Sequence, residues 1–182
     1  MIFTRTPLAG AFVIEPELRA DSRGLFARTW CRREFEANGL ETQIAQCSAS
    51  LNTKKGTLRG MHYQAAPFEE TKIVRCTRGS MYDVIIDLRP ESPTFTQHVG
   101  LVLTADNHKM LYVPRGFAHG FQTLEDDTEV AYQISEYYSA PHGRGVRWND
   151  PAFGIQWPDD DPTILDRDRN YPDFRPGVLT AP

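Results

Sequence analysis

Short apolar segments separated by turn residues run along most of the chain. Residues 72–76 alternate between polar and apolar side chains, residues 94–103 and 128–134 alternate more loosely, and residues 80–88 are rich in valine and isoleucine. Turn residues, mainly glycine and proline, interrupt these segments at residues 21–24, 55–56, 78–80, 89–90 and 114–116. A period of two is typical of a strand with one buried face. Short strands at this spacing predict an all-β fold, an antiparallel sandwich or barrel.

One helix is predicted over residues 32–38, where Gly39 would end it in the left-handed conformation that glycine tolerates. The tail, residues 139–182, is rich in proline and aspartate, and we expect it to wrap the barrel largely without regular structure. Trp148 and Trp157 in this tail need a surface to bury against. With no linker or internal repeat, the chain is predicted to be one domain over residues 1–182, with a core at about 21–172.

Composition narrows the class of protein. The formal charge of −4 argues against general binding of nucleic acid, although clustered cations can still hold a small phosphate. Cys31, Cys47 and Cys76 have no paired spacing, so neither a disulfide framework nor a zinc site is predicted. No apolar run approaches membrane-spanning length. We therefore expect a cytoplasmic protein without a membrane or nucleic-acid partner.

The segment LRGMHYQ at residues 58–64 places one histidine, His62, between Arg59 and Tyr63, and Lys72 follows ten residues later. A neutral imidazole can take a proton near neutral pH, and a fixed cation can stabilise the negative charge left behind. In a regular strand Arg59 and His62 would face opposite sides, but a bulge near Gly60 would bring them to the same side. The pattern favours proton abstraction next to a carbonyl; the alternative is a histidine satisfied by hydrogen bonds within a sheet.

Further residues could support such a base. Tyr132 shares an apolar strand face and could be a core tyrosine or a proton donor opposite His62. A carboxylate against His62 would fix its tautomer; Asp168 and Asp83 are the candidates. Two further hypotheses concern the ligand: Arg23, Arg59 and Lys72 could bind a diphosphate, and Tyr138 could stack on a flat ligand or pack at the rim.

A second cluster, PRGFAHGF at residues 114–121, resembles the second motif of the cupin β-barrel superfamily. In metal-binding cupins the histidine of this motif, here His119, is a ligand. His62 could join it, but Gln64 stands where another histidine would be, and a carboxylate would have to come from Glu69 or Glu70. This is poor evidence for iron or zinc, so no metal is predicted.

Motifs along the chain occur in the order typical of one family. They are DSRG at residues 21–24, LRGMHYQ at 58–64, KIV at 72–74, DVIIDLR at 83–89, SPTF at 92–95, GFAHGF at 116–121, WNDP at 148–151 and IQWP at 155–158. Together they resemble the dTDP-4-dehydrorhamnose 3,5-epimerases over most of the chain. The resemblance implies a cupin jelly roll with a few short helices, a homodimer, no cofactor, and a nucleotide-diphosphate 4-keto-6-deoxyhexose as substrate.

The resemblance also implies roles for single residues. It implies that His62 is the general base, that Asp168 pairs with it, that Lys72 stabilises the enolate and that Tyr132 returns a proton on the opposite face. The implied reaction is inversion at carbons 3 and 5, from dTDP-4-dehydro-6-deoxy-D-glucose to dTDP-4-dehydro-L-rhamnose. The positions matched to substrate contacts are Arg23, Arg59, His119 and Gln46.

Two departures from the family pattern leave the nucleotide open. Arg28 stands where many members carry an acid, and Ser48 replaces an asparagine. Because a cation accepts no hydrogen bond from the N3–H of thymine, a CDP- or GDP-linked sugar is an alternative. The sequence is also compatible with inversion at carbon 3 alone, with a metal-dependent cupin enzyme and with a non-catalytic sugar-nucleotide-binding protein.

Overall fold

The computed structural model describes residues 1–177, which form two antiparallel sheets facing each other and one separate hairpin. The strands are β1 (Ile2–Arg5), β2 (Phe12–Glu15), β3 (Arg19–Asp21), β4 (Gly24–Phe26), β5 (Gln46–Asn52), β6 (Leu58–Gln64), β7 (Lys72–Arg78), β8 (Ser80–Asp87), β9 (His98–Thr104), β10 (Met110–Val113), β11 (Phe117–Thr123), β12 (Thr128–Ile134) and β13 (Gly143–Gly145). The helices are α1 (Arg32–Ala37), α2 (Asp166–Arg169) and a 3-10 turn at Ala140–His142.

The first sheet has the strand order β1-β2-β10-β7-β12-β5, and the second has the order β13-β6-β11-β8-β9. Strands β3 and β4 pair only with each other. Consecutive strands of the chain repeatedly cross from one sheet to the other, which is the jelly-roll arrangement of a cupin. The fold class predicted from the strand pattern and the motifs is confirmed.

The outer face of each sheet is covered in part, in addition to the shared inner face. On β8, Met81 and Ile85 belong to the core between the sheets, whereas Val84 and Ile86 face outward and pack beneath residues of the tail. The outer face of the first sheet is covered around α1, where Phe35 is fully buried. This explains why residues 84–86 of β8 are three consecutive apolar residues instead of alternating with polar ones.

The tail follows its prediction in part. Trp148 and Trp157 are buried against the second sheet, as predicted, and the Trp157 indole donates to the Trp148 carbonyl at 2.7 Å. Up to residue 177 the tail is largely without regular structure, as expected, and two short elements in it line the site: β13 extends the edge of β6, and residues 166–169 form α2. A three-residue strand or a single charged turn has too few residues to show a period. Residues 178–182 of the predicted tail lie outside the described residues.

The predicted helix begins at Arg32 and ends at Ala37, with Asn38 as its C-cap and Gly39 at φ +69°, as predicted. Within residues 1–177, no helix combines the length and the apolar character needed to cross a membrane.

A buried ion pair closes the end of the barrel after β8. Asp87 is fully buried and accepts hydrogen bonds from Arg89 Nη2 at 2.7 Å, Ser92 Oγ at 2.5 Å and Thr94 Oγ1 at 2.7 Å. Burial by itself raises the pKa of the Asp87 carboxyl, but the donated hydrogen bonds outweigh it and lower the pKa to about 2. The carboxylate therefore stays ionised and ties the 88–95 loop to the barrel.

We expect Asp87→Asn to lower the free energy of unfolding at neutral pH by about 2 kcal/mol, the worth of this pKa difference. Since the folded pKa lies below the unfolded one, the wild-type contribution is present above about pH 4 and is lost as pH falls towards 2. Urea denaturation at pH 7 and pH 3 should show the gap between the proteins narrowing with acid. Glu91→Gln, exposed on the same loop, is the control. An equal gap at both pH values would contradict this account.

Candidate active site

A cavity of about 420 Å³ opens between the two sheets at the end where β5, β6 and β12 meet the tail. One wall comes from the first sheet, through Tyr132 on β12, Lys72 at the start of β7 and alternate residues of β5. The facing wall comes from the second sheet, through β6 and β11. Residues of the tail form part of the rim, among them the exposed Leu165. The cavity is large enough for a small-molecule ligand.

A bulge in β6 brings two predicted residues to the same side. His62 on β6 pairs with His119 on β11, and Arg59 pairs with Phe121. The two pairs are three residues apart on β6 but only two residues apart on β11. The extra residue lies at Gly60, and Arg59 and His62 both line the cavity. The predicted bulge is confirmed.

His62 is held by a carboxylate from the tail. Its Nε2 lies 2.9 Å from Asp168 Oδ1, and Asp168 is buried although its helix is made of alternating charges. Arg167 Nε also donates to Asp168 Oδ1, at 3.1 Å. Of the two carboxylates considered for this place, Asp168 is the partner of His62.

The charge state of Asp168 defines the tautomer of the imidazole. Burial by itself raises the pKa of the Asp168 carboxyl, but the hydrogen bond and charge of His62, together with Arg167, hold the pKa below its ordinary value. An ionised carboxylate only accepts hydrogen bonds, so the proton between the two groups is on His62 Nε2. In the neutral imidazole Nδ1 then has a free lone pair, as a general base requires.

Tyr132 lies in the other sheet from His62 and lines the same cavity. Burial, reinforced by the negative charge of Asp83 and opposed by Arg59, raises the pKa of its phenol far above the ordinary value. The hydroxyl therefore carries its proton at neutral pH and can donate it.

His119 and Asp83 form a second histidine–carboxylate pair in the cavity wall. The Nε2 of His119 lies 2.7 Å from Asp83 Oδ1, and both side chains are buried. The ring of His119 meets the ring of Tyr132 edge-on, with centroids 6.1 Å apart. Asp83, the alternative partner for His62, instead supports His119 and lies near Tyr132.

Lys72 does not stand alone in the cavity. Its Nζ lies 2.9 Å from Glu70 Oε1, and only about a tenth of each side chain is exposed, 12% and 10%. The other oxygen of Glu70 accepts a hydrogen bond from Gln64 Nε2 at 3.1 Å. The ammonium is thereby fixed at the wall.

Most of the predicted site residues lie together. The catalytic candidates His62, Tyr132, Asp168 and Lys72 and the predicted contacts Arg59, Gln46, Ser48, His119 and Tyr138 all line the cavity. Gln46 accepts a hydrogen bond from the backbone of Tyr138 at 2.7 Å, which holds that exposed tyrosine at the rim. Arg23 and Arg28 lie elsewhere: Arg23 pairs with Asp21 on the exposed β3–β4 hairpin, and Arg28 pairs with Glu34.

Two arginines of the cavity escaped the sequence analysis. Arg144 comes from β13 and Arg167 from α2, the two elements of the tail that had no periodic signal. Arg167 precedes Asp168 directly, so the placement of the aspartate could have indicated it. Among the described residues, Arg59, Lys72, Arg144 and Arg167 line the cavity together with the carboxylates Glu70 and Asp168, and a third carboxylate, Asp83, lies behind His119. The cavity is therefore positive when both histidines are neutral, which favours an anionic ligand.

The side chains that could hold a metal are otherwise engaged. The amide nitrogen of Gln64, where a cupin ligand would stand, lies within hydrogen-bond distance of the Phe68 and Tyr137 carbonyls and of Glu70, and its two N–H groups are shared among them. Glu69 does not line the cavity. Among residues 1–177, no three His, Cys, Asp or Glu side chains are grouped as a metal site would need.

A cupin-type barrel that holds a carboxylate-bound imidazole on one wall and a protonated phenol on the other defines an acid–base enzyme. Comparisons with known proteins agree. A profile of the family described as dTDP-4-dehydrorhamnose 3,5-epimerase matches residues 5–176. An epimerase of that name from Sinorhizobium fredii is 42% identical over 158 residues, which are 87% of this chain and 81% of the relative.

Solved structures give the same result. The crystal structure of dTDP-4-dehydrorhamnose 3,5-epimerase from Bacillus anthracis, with TDP and PPi bound, has a TM-score of 0.92 and 43% identity, covering 95% of this chain and 99% of that chain. The Legionella pneumophila enzyme in complex with dTDP-4-keto-L-rhamnose has a TM-score of 0.86 and 32% identity, covering 92% of this chain and 89% of that one. The chain belongs to the dTDP-4-dehydrorhamnose 3,5-epimerase family and is an isomerase, as its motifs predicted.

The bulge at Gly60 should not tolerate a side chain. Gly60 has φ +133°, and a Cβ there would lie 2.5 Å from the Cα of Gly120. Backbone strain of about 1–3 kcal/mol would be added to this overlap. We expect Gly60→Ala to lower the free energy of unfolding in urea by more than about 3 kcal/mol.

Gly24→Ala is the matched control, because Gly24 has φ +130° but nothing lies within 4 Å of its Cβ position. It isolates the backbone strain. Equal losses in the two variants would mean that the approach of β6 to β11 does not require glycine.

Proposed function

We propose that the protein inverts carbons 5 and 3 of a dTDP-linked 4-keto-6-deoxyhexose through an enolate, converting dTDP-4-dehydro-6-deoxy-D-glucose to dTDP-4-dehydro-L-rhamnose. The observation that carries the proposal is the placement of His62 and Tyr132 on opposite walls of one cavity. Inversion needs a proton to leave one face of the sugar and another to arrive on the other face. Two groups on one wall could only return the proton to the side from which it came.

The first step is removal of a proton from the carbon next to the ketone. His62 Nδ1 takes the proton, the electrons of the C–H bond form a carbon–carbon double bond, and the carbonyl electrons move to the oxygen. Asp168 compensates the positive charge that appears on the imidazole, and the Lys72 ammonium faces the enolate oxygen. The substrate's own ketone accepts the electrons, so the proton transfer needs no redox partner.

In the second step the phenol of Tyr132 gives its proton to the opposite face of the same carbon, and the ketone re-forms. The phenolate that remains is strongly disfavoured by burial, so it recovers a proton quickly; Arg59 lessens the cost while it exists. Exchange with solvent returns His62 and Tyr132 to their starting states. A placed acid or base contributes about 10²–10⁴-fold to such a reaction.

The unbalanced positive charge of the cavity suits the diphosphate. Lys72 is already paired with Glu70 and Arg167 with Asp168, whereas Arg59 and Arg144 contact no carboxylate among residues 1–177. Arg59 is oriented instead by Asn52 Oδ1, at 2.7 Å from its Nε. We assign the diphosphate to Arg59 and Arg144, whose guanidinium groups can form paired hydrogen bonds with phosphate oxygens.

The active form is proposed to be a homodimer. The β3–β4 hairpin is exposed at every residue, and Leu25 and Phe26 are 52% and 69% exposed. Such residues on an isolated two-stranded ribbon need a covering surface. If the hairpin packs against the cavity rim of a second copy, Arg23 reaches the nucleotide there although it lies outside the cavity of its own chain.

We also place the protein in the cytoplasm. Cys31, Cys47 and Cys76 are all free thiols, including the exposed Cys47, and this fits a reducing compartment.

Proton NMR of dTDP-4-keto-6-deoxyglucose in deuterium oxide tests the reaction. We expect the wild-type protein to introduce deuterium at carbons 3 and 5, and His62→Ala to introduce none. Tyr132→Phe should keep exchange but invert at least about 100-fold more slowly, because the proton for the second face is missing. Circular dichroism would confirm that both variants fold.

Each contrary result has a defined meaning. Exchange at carbon 3 alone would identify a mono-epimerase, and exchange in His62→Ala would remove His62 as the base. No exchange by the wild-type protein with this substrate would overturn the thymidine assignment, and the CDP- and GDP-linked sugars would be tested next.

A mixture of inactive variants tests the homodimer. Arg23→Ala and His62→Ala each damage a different part of the site, and we expect each protein to be nearly inactive by itself. If each site takes Arg23 from the partner, mixed dimers formed by refolding the two variants together should contain one intact site and regain measurable activity. A mass of one chain by light scattering, or no recovery on mixing, would contradict the proposal.

A further inference from the structure

Gln64, Glu70 and Lys72 form a largely buried hydrogen-bond network in the cavity wall. We propose that Glu70 is a positioning residue, which holds the Lys72 ammonium in place for the enolate oxygen, and that Gln64 holds Glu70. This inference rests on the proposed function, because it takes Lys72 as the cation that faces the enolate.

The geometry shows that the carboxylate receives two separate donors. Lys72 Nζ lies 2.9 Å from Oε1, and Gln64 Nε2 donates to Oε2 at 3.1 Å. A carboxylate has an acceptor oxygen for each donor, whereas the amide of a glutamine has a single acceptor oxygen. Glutamate therefore gives each donor its own acceptor oxygen, which glutamine would not do.

The side chain of Gln64 is held in place by hydrogen bonds at both its amide nitrogen and its amide oxygen. Its amide nitrogen also lies 2.9 Å from the Phe68 carbonyl and 3.1 Å from the Tyr137 carbonyl, and its oxygen accepts from Ser139 N at 2.6 Å. The side chain is buried. The network thus links Lys72 to the segment that carries Tyr138 over the cavity rim.

Two opposing effects decide what Glu70 does to the rate. Its negative charge lies near the forming enolate and opposes it. Against this, a lysine has a long flexible stem, and fixing its ammonium before the reaction removes the ordering cost from the barrier. Because only 12% of the Lys72 side chain is exposed, water can replace Glu70 only in part, and we infer that positioning outweighs repulsion. Loss of Glu70 should then lower kcat by about 10-fold or more.

The test compares Glu70→Ala with Glu70→Gln, which keeps the side-chain size if the alanine variant does not fold. We expect both to lower kcat for deuterium exchange at least about 10-fold and 5-fold, respectively, while KM and the Kd for dTDP stay within about 3-fold of wild type. Glu69→Ala, at a neighbouring carboxylate outside the cavity, should leave kcat unchanged.

A double-mutant cycle with Lys72→Met separates positioning from general damage to the fold. If Glu70 acts through Lys72, Glu70→Ala should cause no further loss of kcat in the Lys72→Met background. An equal loss in both backgrounds, or wild-type kcat in both Glu70 variants, would overturn the inference. Failure of the wild-type protein to exchange any proton would instead overturn the proposed function, so the two failures are distinguishable.

Discussion

The close approach of two glycines, Gly60 on β6 and Gly120 on β11, is the constraint on which the site depends. The two backbones come near enough that a side chain on Gly60 would overlap Gly120. This approach accommodates the extra residue of β6, and the extra residue turns Arg59 to the same side as His62. The backbone N–H of Gly60 also points to Asp168, at 3.4 Å from Oδ2. One irregularity in a strand thus joins the proposed base, its carboxylate and one of the two arginines that we assign to the diphosphate.

The cationic side chains of the cavity fall into two groups, according to whether each contacts a carboxylate. Lys72 and Arg167 each have a carboxylate partner, so their charges are local and act at defined atoms. Arg59 and Arg144 have no such partner among residues 1–177 and contribute the net positive field. In the proposed mechanism the second group attracts the anionic diphosphate, while the first keeps the reaction centre close to neutral before the enolate forms. Binding and chemistry would then use separate cations in one cavity.

Sequence reasoning was successful where residues form regular patterns or familiar motifs. The strands β7 and β12, the helix ended by Gly39 and the bulge at Gly60 follow from alternation, capping and strand geometry. It missed Arg144 and Arg167, because β13 and α2 are too short to show a period and owe their structure to contact with β6. The pairing of Asp83 with His119 could not be distinguished from a pairing with His62, since register between β8 and β11 is set by tertiary contacts.

The barrel supplies what inversion of a stereocentre requires, a fixed separation of two groups on opposite sides of a substrate. His62 and Tyr132 belong to different sheets, and each sheet packs against the shared core on its inner face and in part against α1 or the tail on its outer face. Because protein interiors are closely packed, the distance between the two walls cannot change without disrupting that packing. In the proposed mechanism a proton donated by Tyr132 therefore reaches the face that His62 does not, so that inversion at carbon follows from the architecture as much as from the two side chains.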